Sequence, residues 1–247
     1  PNDPPLDALA FHYNRSENLS KKREYLRKSA EAAYAMYSNE TALEYYQQAL
    51  ALTPEQDELI DIHLKSGEIL SLIGQRNEAK AHFETALNIA TENNFTAWLV
   101  PCQIKYAGTQ DNYEQTLEWL EKAYELARQT NDSKNICDAL NELSNVHWRL
   151  GQYELGLDNA RESAALARKI NDRKRETYAI FFSATILSER GEDAASHKFF
   201  AESLAIAREL NDTRRIGSTL LNAGTTYYYP GDYETAATYV SERLIYY

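Results

Sequence analysis

Apolar residues recur every three or four positions along most of the chain, in runs about as long as one helix. One such run contains Ile136, Leu140, Leu143 and Val146. At that spacing the apolar side chains share one face of a helix, and the polar positions between them face away. No segment alternates with a period of two for long enough to predict a strand, so the pattern predicts an all-α fold.

The helical runs are separated by markers with a fixed period. Three glycines stand at equal intervals, namely Gly151, Gly191 and Gly231. Three Asn-Asp pairs keep the same interval, beginning at Asn131, Asn171 and Asn211. Counting back from Gly151 reaches equivalent positions at Asp111, Gly74 and Tyr37, the last two at slightly shorter intervals. Two markers in one register indicate six copies of one repeated unit, and the interval from Gly151 to Gly191 is the length of one repeat.

Each unit is predicted to hold two helices. The glycine ends the first helix, because it adopts a positive φ without a steric penalty. In the Asn-Asp pair, the asparagine ends the second helix and the aspartate caps the helix that follows. Helix pairs of this period bury their apolar stripes on their neighbours, which predicts a solenoid. We expect a leading segment with one helix over residues 1–22, then a solenoid over residues 23–247. Its repeats are expected at about 23–59, 60–96, 97–136, 137–176, 177–216 and 217–247.

The residues at corresponding positions of these units resemble those of the tetratricopeptide-repeat family. The second unit carries the family's small residues, turn and aromatic at Gly67, Gly74, Ala79, Phe83 and Ala86. The fourth unit carries its small residues, turn and aromatic at Ser144, Gly151, Tyr153, Gly156 and Ala160. The third unit departs from the pattern, with Ile104 at the small position and Asp111 at the turn. The resemblance implies a right-handed superhelical solenoid of helix-turn-helix repeats.

Two further features narrow the resemblance. The length of the repeat and the segment 139–145 are similar to the longer-unit subclass, which occurs in peptide-binding adaptors and bacterial signalling proteins. Segments 9–13, 25–30 and 37–46 resemble the region after the ATPase module of bacterial multidomain adenylate or guanylate cyclases and related signalling ATPases. Because the chain begins at Pro1 without a methionine, we expect it to be a piece of a longer protein with its catalytic domains upstream.

Charge and composition exclude several classes of partner. With 26 basic and 37 acidic side chains the net charge is −11. That balance argues against a surface for nucleic-acid phosphates or anionic lipid. No apolar run approaches the roughly 18 residues that span a bilayer, and no signal-peptide pattern opens the chain. Cys102 and Cys137 are too few for a disulfide framework. We expect a cytoplasmic bacterial protein with no nucleic-acid or membrane partner.

The sequence contains none of the common motifs that carry chemistry. It lacks a Gly-rich phosphate loop, a His-Glu-x-x-His motif, a Cys-x-x-Cys pair and a Gly-x-Ser-x-Gly turn. Its five histidines are scattered over different predicted helices. We therefore predict no catalytic residue, no cofactor, no metal and no enzymatic activity for this chain. The basic stretch 168–175 is predicted to be a solvated turn, with docking of an acidic partner as the alternative.

Aromatic and amide residues on the first helix of each unit are the candidate binding residues. In the proteins that the chain resembles, these helices line a concave groove. Amides there can bond an extended peptide backbone, and ring faces can take apolar side chains. The predicted binding residues are Trp98, Lys105, Asn141, Asn145, Trp148, Arg149, Tyr178, Phe182, Asn222 and Tyr228. Sealing one unit against the next is the alternative role of the large residues among them.

These features predict a non-catalytic module that binds a protein or peptide ligand. It would be the sensor or scaffold region of a larger bacterial signalling protein of the cyclase or ATPase type. Two alternatives remain open at this point. The chain could be a self-contained peptide-sensing regulator, or a homo-oligomerisation module that forms a homodimer through the apolar C-terminal helix at residues 239–247.

Overall fold

The computed structural model describes residues 18–52 and 54–246, and within them it has twelve α-helices, one short 3-10 helix and no strand. The predicted all-α class and its helix-turn-helix repeats are confirmed. The helix predicted in the leading segment falls mostly on residues 1–17, which lie outside the described residues.

The helices have the following bounds in chain order. They are α1 Leu19–Ala35, α2 Asn39–Leu50, α3 Gln56–Leu72, α4 Arg76–Glu92, α5 Thr96–Ala107, α6 Tyr113–Gln129, α7 Ser133–Arg149, α8 Tyr153–Lys169, α9 Arg173–Glu189, α10 Asp193–Glu209, α11 Thr213–Tyr228 and α12 Tyr233–Arg243, followed by the 3-10 helix Leu244–Tyr246. They form two compact units, Pro1–Gln110 and Asp111–Tyr247, and each is considered by itself. The predicted repeat boundaries stay predictions.

Unit 1 contains α1 to α5. Helix α1 packs against α2, α3 against α4, and α5 against α4. Leu26, Tyr46 and Ile62 are almost fully buried in its core. A Cβ atom on Gly67 of α3 would lie 2.5 Å from a ring carbon of Phe83 on α4, which is closer than real Cβ atoms approach. This pair, which carries part of the family resemblance, therefore sets how closely α3 and α4 pack.

Unit 2 contains α6 to α12 and the 3-10 helix. Helices α7, α9 and α11 are the first helices of successive pairs, and α8, α10 and α12 are the second helices. Helix α9 contacts α7, α8, α10 and α11, so it lies at the centre of the unit. Ile180, Phe181 and Ile186 of α9 are buried, and so are polar residues such as Thr177 and Thr185. Contact with four helices explains why α9 is buried on most of its circumference.

The helix ends follow the predicted turn chemistry. Gly151 has φ 71°, and the N–H of Gln152 after it donates to the carbonyl of His147 at 2.9 Å. Asn171 has φ 56°, and the side chain of Asp172 accepts the backbone N–H of Arg175 at 3.0 Å. The equivalents one repeat earlier and later behave in the same way at the Asn-Asp pairs. Glycine and asparagine thus end the helices, and aspartate caps them, as expected.

One predicted turn is wrong. The sequence pattern places Asp111 in the role of the turn glycine, but Asp111 has no positive φ and α5 already ends at Ala107. Helix α5 is also short, with 12 residues, and contains Pro101. Proline lacks the N–H that an interior helical position donates, so it weakens the turn it belongs to. The degenerate third unit therefore differs from the others in the way its first helix ends.

Two of the helix pairs in unit 2 are joined by a buried hydroxyl. In the α7–α8 pair, the hydroxyl of Ser144 donates to the carbonyl of Gly156 at 2.8 Å. In the α9–α10 pair, the hydroxyl of Ser196 donates to the carbonyl of Ala184 at 2.9 Å. Ala184 lies one repeat after Ser144, and Ser196 lies one repeat after Gly156, so donor and acceptor helices are exchanged. The same hydrogen bond therefore forms in both pairs, because either helix can supply the serine when the residue opposite it is small, here Gly156 or Ala184.

Candidate functional site

The first helices of unit 2 meet at two junctions, and the α7–α9 junction is polar. Arg175 of α9 reaches back to α7, where its Nη2 lies 2.6 Å from Oδ2 of Asp138. Its Nη1 donates to Oδ2 of Asp172 at 2.7 Å, and its Nε donates to the carbonyl of Lys134 at 3.1 Å. One guanidinium therefore uses its fork of donors to join two helices and the turn before the second.

The charges at this junction reinforce one another. Burial alone would raise the pKa of Asp172, but the hydrogen bonds from the backbone N–H and guanidinium of Arg175 outweigh it, and the pKa is lowered. For Arg175 itself burial acts in the lowering direction, and the carboxylates of Asp138 and Asp172 leave its pKa raised. Both groups are thus held in their charged forms.

Asn141 lies at the same junction with half of its amide unused. The residue is only 4% exposed. Its Nδ2 donates to the carbonyl of Arg175 at 3.4 Å, but its Oδ1 is buried without a hydrogen-bond partner among the described residues. A buried amide oxygen left unpaired costs about 1–3 kcal/mol. Such an orphaned acceptor needs an explanation, and a ligand N–H would supply one.

The α9–α11 junction places aromatic rings where the first junction has polar groups. Tyr178 and Phe181 stand one repeat after Asp138 and Asn141. Arg215, one repeat after Arg175, has its Cζ 3.6 Å from the centroid of the Tyr178 ring and 4.5 Å from that of Phe181. Cation–π contacts of this kind are worth about 0.5–2 kcal/mol.

Arg215 has no ionic partner in the described part of the chain. It is 8% exposed, its Nε is buried without a hydrogen-bond partner, and no carboxylate lies within ion-pair distance of it. The side chain of Asp212, the equivalent of Asp172, accepts only the backbone N–H of Arg215, at 2.9 Å. A buried cation without a counter-charge is costly, so this position also needs an explanation.

The three arginines of the basic stretch 168–175 are paired with carboxylates within the fold. Arg168 and Arg173 both contact the carboxylate of Glu176 at 2.7 Å, and the side chain of Glu176 is 4% exposed. Arg168 also reaches Glu202 of the next second helix at 3.2 Å, and Arg208 pairs with Glu242 in the same register. These arginines tie successive repeats together on the side of the second helices.

The structure separates the ten predicted binding residues into several places. Trp98 and Lys105 lie on α5 of unit 1, where Nζ of Lys105 is 2.7 Å from the carboxylate of Glu68. In unit 2, Asn141 lies at the α7–α9 junction and Tyr178 lies at the α9–α11 junction.

The other predicted residues of α7 and α9 contact residues of their own helix or of a buried cluster. Nε of Arg149 donates to Oδ1 of Asn145 at 3.2 Å along α7. Trp148 packs against a buried cluster that includes Ile186, so it seals one repeat against the next. Phe182 is buried in a core cluster, with its ring centroid 5.4 Å from that of Phe181.

The two predicted residues on α11 lie away from the junctions. Nδ2 of Asn222 donates to the carbonyl of Ser218 at 2.9 Å, on its own helix. Tyr228 is 56% exposed at the end of α11, where its ring stacks edge-on with those of Tyr229 and Tyr233.

Four residues of the junctions were missed at the sequence level. They are Asp138, Arg175, Phe181 and Arg215. The repeat period contains a signal for them, because Arg175 and Arg215 are one repeat apart and the residues that face them, Asp138 and Tyr178, are also one repeat apart. The signal is weak because the arginines stand beside the Asn-Asp turns, where a cation is expected merely to be solvated.

Other candidate sites offer less. A shallow cleft between α10 and α12 has a volume of about 590 Å³ and is lined by residues such as Leu204 and Tyr239. Its one arginine, Arg208, is already paired with Glu242. Within residues 18–52 and 54–246 no three His, Cys, Asp or Glu side chains are grouped to hold a metal ion. None of the described helices is long and apolar enough to cross a bilayer.

Comparison with known families finds helical repeats. A tetratricopeptide-repeat model matches residues 60–93. A model described as anaphase-promoting complex subunit 5 matches residues 104–190 and 173–223. No curated protein sequence matches the chain.

Solved structures share the fold at low sequence identity. A Rap protein complexed with Competence and Sporulation Factor is 16% identical, with a TM-score of 0.76 over 98% of this chain and 79% of that chain. The regulator NprR in complex with its cognate peptide NprX is 16% identical, with a TM-score of 0.75 over 97% and 70%. A signal transduction ATPase with numerous domains and a tetratricopeptide-repeat sensor, from Pyrococcus horikoshii, is 14% identical, with a TM-score of 0.64 over 97% and 38%. At these identities the likeness concerns the fold.

Proposed function

Because the chain is built of tetratricopeptide-type repeats, we propose that it is a non-catalytic module that binds a peptide segment across α7, α9 and α11. The observation that carries the proposal is the buried, unpartnered Oδ1 of Asn141 at the α7–α9 junction; the rings of Tyr178 and Phe181 lie at the α9–α11 junction, on the same helix α9 that Asn141 contacts. An extended peptide can donate a backbone N–H to that oxygen, and an apolar side chain of the same peptide can lie on the rings.

The other predicted residues extend this surface in the proposal. Asn145 and Arg149 continue it along α7, and Asn222 and Tyr228 continue it along α11. Phe182 and Trp148 pack in or against the buried clusters and hold α9 and α7 in place. Trp98 and Lys105 are a separate candidate surface on unit 1.

Two of the structural relatives support a peptide as the ligand. The Rap protein and NprR were both solved with a bound factor or peptide, and each aligns with nearly all of this chain. They share the fold with this chain, so the residues that make the contact have to be tested here.

A binding experiment on the full chain tests the proposal. A library of fluorescent heptapeptides is screened, and the best binder is titrated against wild-type protein, Asn141→Ala and Asn88→Ala. Asn88 is an exposed asparagine on α4 and serves as the control. Losing one hydrogen bond in a water-excluded site costs about 1–1.5 kcal/mol, so Asn141→Ala should weaken binding roughly tenfold. Equal affinities of the three proteins, or a library without any binder, would contradict it.

The proposed context is a bacterial cytoplasmic signalling protein with an ATPase or cyclase domain upstream. The signalling ATPase from Pyrococcus horikoshii supports the ATPase context, since its description combines an ATPase with a tetratricopeptide-repeat sensor and the match covers 38% of its chain. The coding sequence upstream of Pro1 tests it directly. A gene without such a domain would favour the alternative of a self-contained peptide-sensing regulator, for which the peptide should change the scattering profile of the whole protein.

Self-association is a second candidate function with its own observation. Val240, Leu244 and Ile245 at the C-terminal end of unit 2 are exposed, the last of them by 78%. Contiguous exposed apolar residues favour contact with another protein surface, here a second copy. Sedimentation of the chain over a hundredfold concentration range should then detect a dimer, and replacing Ile245 by Glu should abolish it. A monomer throughout would reject this function.

A further inference from the structure

The repeat register provides an internal standard for Arg215. Arg175 occupies the same place one repeat earlier, and there two carboxylates, those of Asp138 and Asp172, contact its guanidinium. At the next repeat the first carboxylate is replaced by the ring of Tyr178. The second is retained in kind as Asp212, but its side chain accepts the backbone N–H of Arg215 instead of pairing with the guanidinium.

The surroundings of Arg215 hold the cation in place without neutralising it. The ring of Tyr178 lies 3.6 Å from its Cζ, which is contact distance for a guanidinium over a ring face. A guanidinium stacked on its face keeps its N–H donors in the plane, where a carboxylate can accept two of them. The buried Nε without a hydrogen-bond partner is one such unused donor.

We propose that Arg215 is the recognition point for a carboxylate of the bound peptide. The inference rests on the proposed function, because it names the chemistry of the ligand at one end of the α7–α9–α11 surface. The carboxylate replaces the one that Asp138 supplies to Arg175. It belongs either to an Asp or Glu side chain or to the C terminus of the peptide. The net charge of −11 makes acidic peptides poor non-specific ligands, so a preference for them would point to a local cation.

A positional-scanning heptapeptide library tests the inference on the full chain. One arm of the library has free C-terminal carboxylates and the other has amidated ends, which separates a side-chain carboxylate from a terminal one. The wild-type protein should prefer an acid at one position, or a free terminus, at least tenfold over the neutral equivalent. Arg215→Met should lose that preference and still bind the neutral peptides.

A second pair of variants keeps the test independent of the arginine itself. Tyr178→Asp copies into this junction the carboxylate that Asp138 offers to Arg175, so Arg215 becomes paired internally and the acid preference should disappear. Tyr178→Asn removes the same ring and has nearly the shape of the aspartate variant without its charge. Both variants should therefore bind peptides more weakly than the wild-type protein, and Tyr178→Asn, the matched control, should retain the acid preference. Circular dichroism and thermal melts establish that each variant is folded.

The outcomes separate the two proposals. If no peptide in either arm binds the wild-type protein, the proposed function fails. If peptides bind but acids are not preferred, or Tyr178→Asp and Tyr178→Asn behave alike, the proposed function stands and the role of Arg215 is wrong. If Arg215→Met does not fold, the Tyr178 pair decides.

Discussion

The two junctions between first helices each contain an arginine at the same position of the repeat, but the two arginines have different partners. At the α7–α9 junction, Arg175 is closed by Asp138 and Asp172 and joins the helices. At the α9–α11 junction, Arg215 rests on Tyr178 and Phe181 and keeps its charge uncompensated. The period of the repeat fixes where the arginine lies, and the residue facing it decides whether it stabilises the fold or remains available to a ligand.

The largest loss of stability is expected when the aromatic α9–α11 junction is disrupted. Phe181→Ala removes a buried ring that contacts Phe182, Phe200 and Arg215. Large-to-small changes of this kind cost about 3–5 kcal/mol, and since this site borders an open surface we expect a value near 3 kcal/mol in urea unfolding. Tyr228→Ala, at an exposed ring, should cost less than about 0.5 kcal/mol. Similar losses for both would mean that Phe181 does not hold the junction.

Removing the arginine of the polar α7–α9 junction should reduce the stability of the protein by less. Arg175→Met leaves Asp138 and Asp172 without their cation, but Asp138 is more than a third exposed and is partly compensated by water. We expect the free energy of unfolding to fall by about 1–2 kcal/mol. Arg161→Met breaks an exposed pair with Asp158 and should leave the urea midpoint unchanged. A loss as small as that of the control would contradict the closed-junction interpretation.

The contribution of Arg175 should depend on pH in a defined window. The pKa of Asp172 is lowered from its ordinary value of 3.8, so the unfolded state binds more protons in that range. The stability from the pair is therefore fully present above about pH 4 and is lost as the pH falls through the lowered pKa. Urea unfolding of wild type and Arg175→Met at pH 7, 5 and 3 should give the same difference at the first two and a smaller one at the third.

The smallest change in stability is expected at Arg215. Arg215→Met removes a cation–π contact of about 0.5–2 kcal/mol but also removes the cost of burying an unpaired charge. The two should nearly cancel, leaving a change below about 1 kcal/mol in the urea experiment. A loss larger than that of Arg175→Met would show that Arg215 has a structural role after all.

The ends of the helices were predictable because turn chemistry is local. Gly151, Asn171 and Asp172 each need only their own backbone conformation or the next turn, and each behaves as the sequence indicates. Asp111 departs from the pattern because a position in the period does not fix a backbone conformation, and α5 already ends at Ala107.

The candidate site was less predictable because it depends on contacts between helices. Periodicity identifies the first helices, but it does not tell which of two adjacent faces lies against the next helix. Trp148 therefore belongs to a core cluster although it lies on the same helix as Asn141, two turns further on. The different roles of Arg175 and Arg215 emerge only when the residues that face them are compared, namely Asp138 at the first junction and Tyr178 at the second.

The exchanged hydroxyl in the helix pairs has a consequence for how such an array can be rearranged. Joining α7 to α10 would set Ser144 against Ser196, two hydroxyls in a space made for one, whereas joining α9 to α8 would set Ala184 against Gly156 with no hydroxyl at all. Gene duplication or engineering should therefore succeed when crossovers fall at the Asn-Asp turns, which move whole hairpins. Crossovers at the glycine turns would split a matched pair and leave each half with an ill-fitting companion.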